Sequence, residues 1–288
     1  MCKVLQIAPS GYRCHAARKR KPELLCARAK RDETLMPQIQ AVWQANMQVY
    51  GADKVWHQMN REGTKVARCT VERLMKRLGL HGVRRGKVIR TTVPDKAAPC
   101  PLDRVNRQFK ADRPNQLWVS DFTYVSTWQG WQYVAFVIDV FARRIVGWRV
   151  SSSMRTDFVL DALEQALFDR QPERADALIH HSDRGSQYVS ILYTERLAQA
   201  GIEPSVGSRG DSYDNALAET INGLYKAELI HRRAPWKTKE ALELATLEWV
   251  AWFNNHRLLS SIGYIPPAEA EANYYRQLAG KNETEVST

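Results

Sequence analysis

Three carboxylates beyond residue 115 occupy places where a charged side chain is costly. Asp121 interrupts the strand-like run Trp118–Val125, and Asp183 directly follows a short apolar segment. Glu219 lies on a predicted helix that begins near Asp214-Asn215, either of which can cap it. A buried carboxylate is destabilising unless it is paired, hydrogen-bonded or bound to a metal ion. Each alone is more often structural or solvated, but together they are candidates for one acidic site.

The spacing of these residues indicates a particular chemistry. A stretch of 35 residues separates Asp183 from Glu219, and Lys226 follows Glu219 by seven positions, on the same helix face. In-line displacement at a phosphodiester phosphorus needs charge stabilisation at the attacking and leaving oxygens, and two metal ions about 4 Å apart supply it. Mg²⁺ prefers oxygen ligands and keeps several waters, so a few carboxylates are enough to hold it. Metal-assisted phosphoryl transfer is therefore the predicted reaction.

The surrounding sequence predicts a mixed sheet that would position the carboxylates. Strand-like patterns cover residues 116–127, 131–139 and 144–150, with Gln129-Gly130 as a tight turn. Helices and short strands then alternate over residues 155–169, 177–181, 190–200 and 202–206. Beyond the helix of Glu219, an apolar helix covers 239–254 and a last helix follows Pro266-Pro267. This order predicts an α/β fold, in which ligand sites favour strand ends.

Other polar residues near these strands have competing interpretations. Asp139 ends the second strand and resembles a metal ligand, but a structural pairing with Arg143 or Arg144 is favoured. The adjacent His180 and His181 can contact metal or DNA, yet a hydrogen-bonded scaffolding role is the expectation.

The first part of the chain has the features of a DNA-binding unit. Residues 1–110 carry 24 Lys and Arg against 8 Asp and Glu (+16), whereas residues 111–288 carry 18 against 23 (−5). Helical patterns cover residues 35–50, 52–60 and 68–78, with Gly63 in the turn before the third. The polar face of the third helix carries Arg68, Arg73, Lys76 and Arg77. This pattern is typical of a helix-turn-helix, although an ordinary three-helix unit would look similar.

Composition and cysteine spacing indicate the broad class of protein. With 44% hydrophobic residues and nine tryptophans, the chain can form a substantial core. The five cysteines include no C-x-x-C pair, which favours reduced thiols over structural zinc or disulfides. No apolar run approaches the roughly 20 residues of a membrane span, and the start lacks the layout of a secretory signal. We therefore expect a cytoplasmic protein without a membrane partner.

The chain is predicted to have five segments. They are a basic N-terminal segment (1–33), a helix-turn-helix-like domain (34–80), a basic, proline-containing linker (81–115), the catalytic core (116–232) and C-terminal helices packed on the core (233–288).

Nearly the whole chain resembles one family. The pattern Asp121, Asp183, Glu219, Lys226 is similar to the catalytic core of the retroviral integrase superfamily. More narrowly, the chain resembles insertion-sequence transposases of the insertion-sequence-three type, whose second reading frame encodes that core. The stretches that carry the resemblance are Trp118–Tyr124, Val137–Trp148, His181–Tyr188, Asp211–Lys226 and Phe253–Glu269, together with the helical regions around Val49–Gly51 and Cys69–Leu80.

The resemblance implies a fold, an activity and partners. The fold would be a ribonuclease H-like core with a five-stranded mixed sheet flanked by helices, preceded by a small all-α helix-turn-helix domain. The activity would be that of a DDE transposase, which cleaves and transfers DNA strands with two Mg²⁺ ions, or Mn²⁺ as a substitute. Asp121 would bridge both ions, Asp183 and Glu219 would each complete one site, and Lys226 would contact a phosphate.

The expected partners follow from the same resemblance. They are the inverted-repeat ends and the target DNA, further copies of the chain on DNA, and an upstream-frame fusion segment. The expected location is the bacterial nucleoid.

Two further functions fit parts of the sequence. A nuclease with a ribonuclease H-like fold would cut RNA–DNA hybrids or branched DNA without joining strands. A repressor with an inert core would bind the same DNA ends and compete with the fused protein. The basic helical unit supports the repressor, while the intact acidic triad counts against it.

Overall fold

The computed structural model describes residues 8–84, 109–172, 177–183, 187–206 and 215–286. The chain divides into two compact units, residues 1–83 and 84–288. Most of the predicted linker over 81–115, and the predicted cap Asp214, lie outside the described residues.

Helices α1 to α4 form the first unit. They are α1 (Pro9–Arg20), α2 (Ala27–Ala45), α3 (Ala52–Arg61) and α4 (Arg68–Leu78). The last three pack through buried side chains, among them Ile39, Val55, Met59, Val71 and Leu74. α2 begins eight residues before the predicted helix because its first turns are rich in polar helix formers, which apolar periodicity does not detect. The turn before α4 contains Gly63 with φ of 88°, as expected of a helix-turn-helix.

A five-stranded mixed sheet is the centre of the second unit. Its strands are β1 (Leu117–Thr127), β2 (Gly130–Asp139), β3 (Arg144–Ser151), β4 (Ile179–Ser182) and β5 (Glu203–Val206). The order across the sheet is β3-β2-β1-β4-β5. β1 pairs antiparallel with β2, and β2 with β3, whereas β4 lies parallel to both β1 and β5.

Helices cover both faces of this sheet. They are α5 (Thr156–Arg170), α6 (Ile191–Ala200), α7 (Ala216–Tyr225), α8 (His231–Arg233), α9 (Lys239–Asn255) and α10 (Pro267–Val286), with a π turn (Lys226–Ile230) between α7 and α8. Ala135 and Val137 on β2 share a core with Phe158 of α5. Phe136, which points to the opposite face, contacts Tyr225 and Trp249.

Two contacts fix helices closely against β3. Asn254 on α9 accepts a hydrogen bond from the Ile145 N–H (2.9 Å) and donates one to its carbonyl (2.8 Å). On the other face, a Cβ added to Gly147 would lie 2.1 Å from the carbonyl oxygen of Ala162. Only a residue without a side chain allows α5 to approach β3 this closely.

The strand order and the flanking helices are those of a ribonuclease H-like fold, as predicted, and the small helical unit precedes this core. Among the described helices, none combines the length and the apolar character that a membrane crossing requires.

Candidate active site

Strand pairing brings Asp121 and Asp183 to adjacent positions. In the parallel register of β1 and β4, Ser120 lies opposite Ser182. Asp121 directly follows Ser120, and Asp183 directly follows Ser182. Neighbouring strands lie about 4.8 Å apart. The two carboxylates therefore share the end of β4, where the parallel part of the sheet stops.

The electrostatics of Asp121 show that Glu219 also lies near this point. The pKa of the Asp121 carboxyl is raised well above its usual value, first by burial and then by repulsion from the charge of Asp183. The charge of Glu219, on the first turn of α7, raises this pKa further. Hydrogen bonds from the Phe122 N–H (2.8 Å) and from Asn222 oppose the shift. The structure thus places the other two predicted carboxylates, Asp183 and Glu219, near Asp121.

Two asparagine side chains hold α7 against β1. Asn222 Nδ2 donates to Asp121 Oδ2 (2.9 Å), and Asn215 Nδ2 donates to the carbonyl of Ser120 (2.9 Å). Asn215, Glu219 and Asn222 are spaced by four and three residues, so they lie on one face of the helix. Asn215 occupies the N-cap position but its side chain makes no capping bond, so the predicted capping role is wrong for this residue. The side chain is instead used to bond β1, a contact that sequence analysis missed.

The chemistry of this donor set fits a divalent cation. Carboxylates that repel one another in a buried setting are stabilised when a cation lies between them. Asn222 Oδ1 is also buried and has no hydrogen-bond partner among the described residues. Within the described ranges, no three His, Cys, Asp or Glu side chains are grouped to hold one ion together. A two-ion site requires only a pair of carboxylates for each ion, which Asp121 can form with each of its neighbours.

Lys226 begins the π turn directly after α7 and lies beside β1. Its Nζ is 4.8 Å from the centroid of the Tyr124 ring, and Tyr124 lies three residues beyond Asp121 on β1. The ammonium group of Lys226, which is partly buried, thus lies near the carboxylate site.

Two histidines predicted to be scaffolding make hydrogen bonds inside the core. His180 Nε2 lies 2.7 Å from Ser120 Oγ and 3.1 Å from the Tyr193 hydroxyl. Burial lowers the pKa of His180 to about 3, so the ring is neutral at physiological pH. His181 Nδ1 lies 2.9 Å from Ser205 Oγ.

Asp139 is also held by structural contacts, but its cation is not the predicted one. It accepts hydrogen bonds from the N–H groups of Asn115 (2.7 Å) and Phe141 (2.9 Å), and Arg170 Nη2 lies 3.8 Å away. Arg144 pairs with Glu271 instead. The predicted pairing with Arg144 is therefore wrong, because α5 brings Arg170 to this corner, a contact distant in sequence. Arg143, the other predicted partner, lies near enough that the charge of Asp139 opposes the lowering of the Arg143 pKa by burial.

The basic residues of α4 fall into two groups. Arg68, Lys76 and Arg77 are exposed, and Arg68 lies 3.6 Å from Asp53. The guanidinium of Arg73 donates to both carboxylate oxygens of buried Asp32, at 2.8 and 2.7 Å. This bidentate pair lowers the pKa of Asp32 and ties α4 to α2. Arg73 therefore has a structural role that the sequence did not indicate.

Comparison with known proteins agrees with this architecture. The family described as "Integrase core domain" matches residues 111–212 and, in a second form, residues 200–267, and the family described as "HTH-like domain" matches residues 30–88. The catalytic core of the HTLV-2 integrase, solved in complex with magnesium, superposes with a TM-score of 0.45 at 15% identity. That alignment covers 56% of this chain and 99% of the viral one.

Close relatives are more informative. The transposase for insertion sequence element IS629 of Shigella sonnei is 60% identical over 278 residues, which cover 96% of this chain and 92% of the relative. The transposase for insertion sequence element IS3411 of Escherichia coli is 60% identical over 172 residues, which cover 60% of this chain and 71% of the relative.

The fold, the acidic site and the matched families define an integrase-type polynucleotidyl transferase with an appended helix-turn-helix. The chain belongs to the DDE transposases of bacterial insertion sequences. Its activity is DNA transposition.

Proposed function

We propose that Asp121, Asp183 and Glu219 are the catalytic carboxylates with which this transposase cleaves the ends of its insertion sequence and joins them to target DNA. The observation that carries the proposal is geometric: the register of β1 and β4 places Asp121 beside Asp183, and Asn222, on the helix that carries Glu219, donates a hydrogen bond to Asp121. The raised pKa of Asp121, to which the charges of both other carboxylates contribute, agrees with this placement. Such mutual repulsion is costly in a folded protein, and functional sites are where it is most often found.

The three carboxylates would hold two magnesium ions, with manganese as a substitute. In this arrangement Asp121 contributes to both ions, and Asp183 and Glu219 each complete one site. When bound, the ions supply Lewis-acid stabilisation of the attacking and leaving oxygens of the phosphodiester. The support is the donor set itself, because carboxylate oxygens are the ligands that magnesium prefers.

The remaining polar residues of the site position the carboxylates and the substrate. Asn222 restrains the Asp121 side chain, and Asn215 restrains the start of the helix that carries Glu219. Lys226 contacts a phosphate near the scissile bond as a point charge. Its place beside Tyr124, three residues from Asp121, supports this role.

DNA recognition is assigned to the helical unit. Arg68, Lys76 and Arg77, all exposed on α4, contact phosphates or base edges of the inverted-repeat ends. The basic linker predicted over residues 81–115 supplies further Lys and Arg side chains for phosphate contacts. Arg73 supports this surface through its pair with Asp32.

The proposal also includes partners that act with the chain on DNA. The chain self-associates on DNA, since two ends must be brought together, and acts at the nucleoid. Its further partner is a segment encoded in an upstream reading frame, to which the chain is fused.

One assay tests the function against its two alternatives. The protein is incubated with labelled end-sequence duplex and Mg²⁺, and products are separated on a denaturing gel. A transposase yields nicked and joined strands, a nuclease yields nicks without joined products, and a repressor yields neither although it retains the DNA.

A further inference from the structure

The hairpin between β1 and β2 exposes large aromatic side chains. Trp128 is 69% exposed and Trp131 is 56% exposed. Tyr124 lies next to them, with its ring centroid 5.2 Å from that of Trp131 and the ring planes nearly perpendicular. We call Tyr124, Trp128, Trp131, Lys226 and Lys237 the hairpin surface. A cluster of exposed aromatic side chains, unlike a single one, is a candidate binding surface.

Lysine side chains lie over two of these rings. Lys226 Nζ is 4.8 Å from the Tyr124 centroid, and Lys237 Nζ is 5.3 Å from the Trp128 centroid. Aromatic faces interleaved with cations are the surroundings that single-stranded nucleic acid binds, since bases stack on the rings and phosphates pair with the cations. A protein partner would favour an apolar core depleted of lysine.

The backbone beneath the hairpin surface is well fixed. Thr127 Oγ1 donates to the Gly130 carbonyl (2.8 Å) and accepts from the Gln129 N–H (3.2 Å). The Trp128 N–H donates to the carbonyl of Trp236 (3.0 Å). The backbone that carries the rings is therefore fixed before a ligand arrives, which lowers the entropy lost on binding.

The hairpin surface adjoins the carboxylate site. Tyr124 is three residues from Asp121 on the same strand, which corresponds to about 10 Å. Lys226 shares a helix face with Glu219. Alternation along β1 turns the Tyr124 and Asp121 side chains to opposite faces, so the link between the two sites is Lys226, which follows the helix of Glu219 and lies over the Tyr124 ring. A strand whose phosphate lies at the carboxylates would reach the hairpin surface at Lys226.

We propose that the hairpin surface stacks unpaired bases of the DNA strand being cut, so that the enzyme engages ends whose terminal base pairs are opened. The inference rests on the proposed function. A paired duplex offers phosphates and groove edges but keeps its base faces stacked inside, so exposed tryptophan faces fit bases that have left the helix.

The test compares two labelled duplexes of equal length, one blunt and one with a 3′ overhang of about six thymidines. Binding to the full-length protein is followed by fluorescence anisotropy in EDTA, so that no cleavage occurs. The wild type is expected to bind the overhang duplex more tightly than the blunt one. Trp128→Ala and Trp131→Ala should each weaken overhang binding about 5- to 100-fold and leave blunt binding unchanged.

Two further variants control for folding and for ring chemistry. Phe168→Ala removes an equally exposed aromatic, 78% exposed on α5, and should change neither affinity. Trp131→Phe keeps a ring and should restore most of the overhang preference. The inference is overturned if the wild type shows no such preference, or if the alanine variants retain it.

Two other results would also overturn the inference. One is an equal weakening of both duplexes, which indicates a duplex contact or a folding defect. The other is a change in oligomeric mass on sedimentation without any change in DNA affinity, which indicates a surface for a second copy. Failure of the proposed function is distinguishable, since Asp121→Asn with wild-type cleavage would remove the carboxylate mechanism and leave the binding result intact.

Discussion

Asn222 donates a hydrogen bond of 2.9 Å to Asp121 and so joins α7 to β1 where the carboxylates meet. Asp121 sits on a rigid central strand, whereas Glu219 comes from a helix more than ninety residues later. The hydrogen bond therefore restrains the Asp121 carboxylate directly. It restrains the distance from Asp121 to Glu219 indirectly, because Glu219 and Asn222 lie on the same helix. Supporting contacts of this kind often matter almost as much as the ligands that they orient.

Replacing any of the three carboxylates should abolish chemistry and spare DNA binding. For Asp121→Asn, Asp183→Asn and Glu219→Gln, we expect strand cleavage and joining to fall by about 1000-fold or more, because each removes a charge that holds a cation. Retention of end-sequence DNA in a gel-shift assay should stay near wild type. Asp157→Asn, an exposed acid on α5, is the control. Wild-type cleavage by any of the three variants would remove that residue from the mechanism.

Loss of the Asn222 amide should slow the reaction without stopping it. Asn222→Ala is expected to lower the cleavage rate about 10- to 100-fold, the range typical of residues that orient ligands. The fall should appear in kcat more than in KM, because the residue restrains Asp121 and does not bind DNA. Asn255→Ala, which removes an exposed amide from α9, should leave both constants unchanged. An unaltered kcat in Asn222→Ala would show that Asp121 is held well enough by its own backbone.

The exposed and the paired basic residues of α4 should behave differently. Lys76→Ala is expected to weaken DNA binding and to reduce the slope of log affinity against log salt by about 1, as one phosphate contact is lost. Arg73→Ala should chiefly lower the melting temperature, since it leaves Asp32 buried without its cation. Both are measured by anisotropy across a salt series and by thermal unfolding. A salt slope unchanged in Lys76→Ala would exclude a phosphate contact there.

The close approach of α5 to β3 makes Gly147 intolerant of a side chain. Gly147→Ala places a methyl group 2.1 Å from a backbone oxygen, so β3 or α5 must move. We expect the free energy of unfolding to fall by about 1–3 kcal/mol or more, as in other overpacked cores. Gly280→Ala is the matched control, because nothing lies within 4 Å of its added methyl group and α10 gains a better helix former. Equal stability of the two variants in urea would contradict this packing.

Acid should destabilise the core through His180. Burial keeps its folded-state pKa at about 3, below the ordinary 6.5. The unfolded chain therefore takes up this proton first, and the stability is complete above about pH 6.5 and lost as the pH falls towards 3. Between about pH 6.5 and 4.5 the loss is about 2–3 kcal/mol. It should be seen as the difference in pH dependence between wild type and His180→Gln in chemical denaturation, and parallel curves would refute it.

Much of the second unit could be predicted from local patterns. The strands and helices around Asp121 follow apolar periodicity and turn residues, and most boundaries fall within one or two residues of the observed ones. The strand predicted from residue 177 begins two residues later, at Ile179. The N-terminal helix α1 was not predicted, because its residues are mostly polar and none is buried. Periodicity detects a helix only where one face meets a core.

The polar contacts of the site could not be predicted from local sequence patterns. Asn215 can cap a helix or bond a strand, and only the position of β1 decides between them. The pairing of Arg170 with Asp139 joins a helix to a strand across 31 residues of sequence, and that of Arg73 with Asp32 joins two helices across 41 residues. Side-chain charge indicates that a partner is needed, but tertiary packing selects which one.

The separation of Asp121 and Asp183 is set by the pairing of two backbones, and side-chain rotation has little part in it. A slip of one residue between β1 and β4 would turn one carboxylate to the opposite side of the sheet. Substitutions along β4 can therefore be absorbed, but a single inserted or deleted residue cannot. If Asp183 is catalytic as proposed, the number of residues leading to it should be as strictly constrained as the identity of the acid.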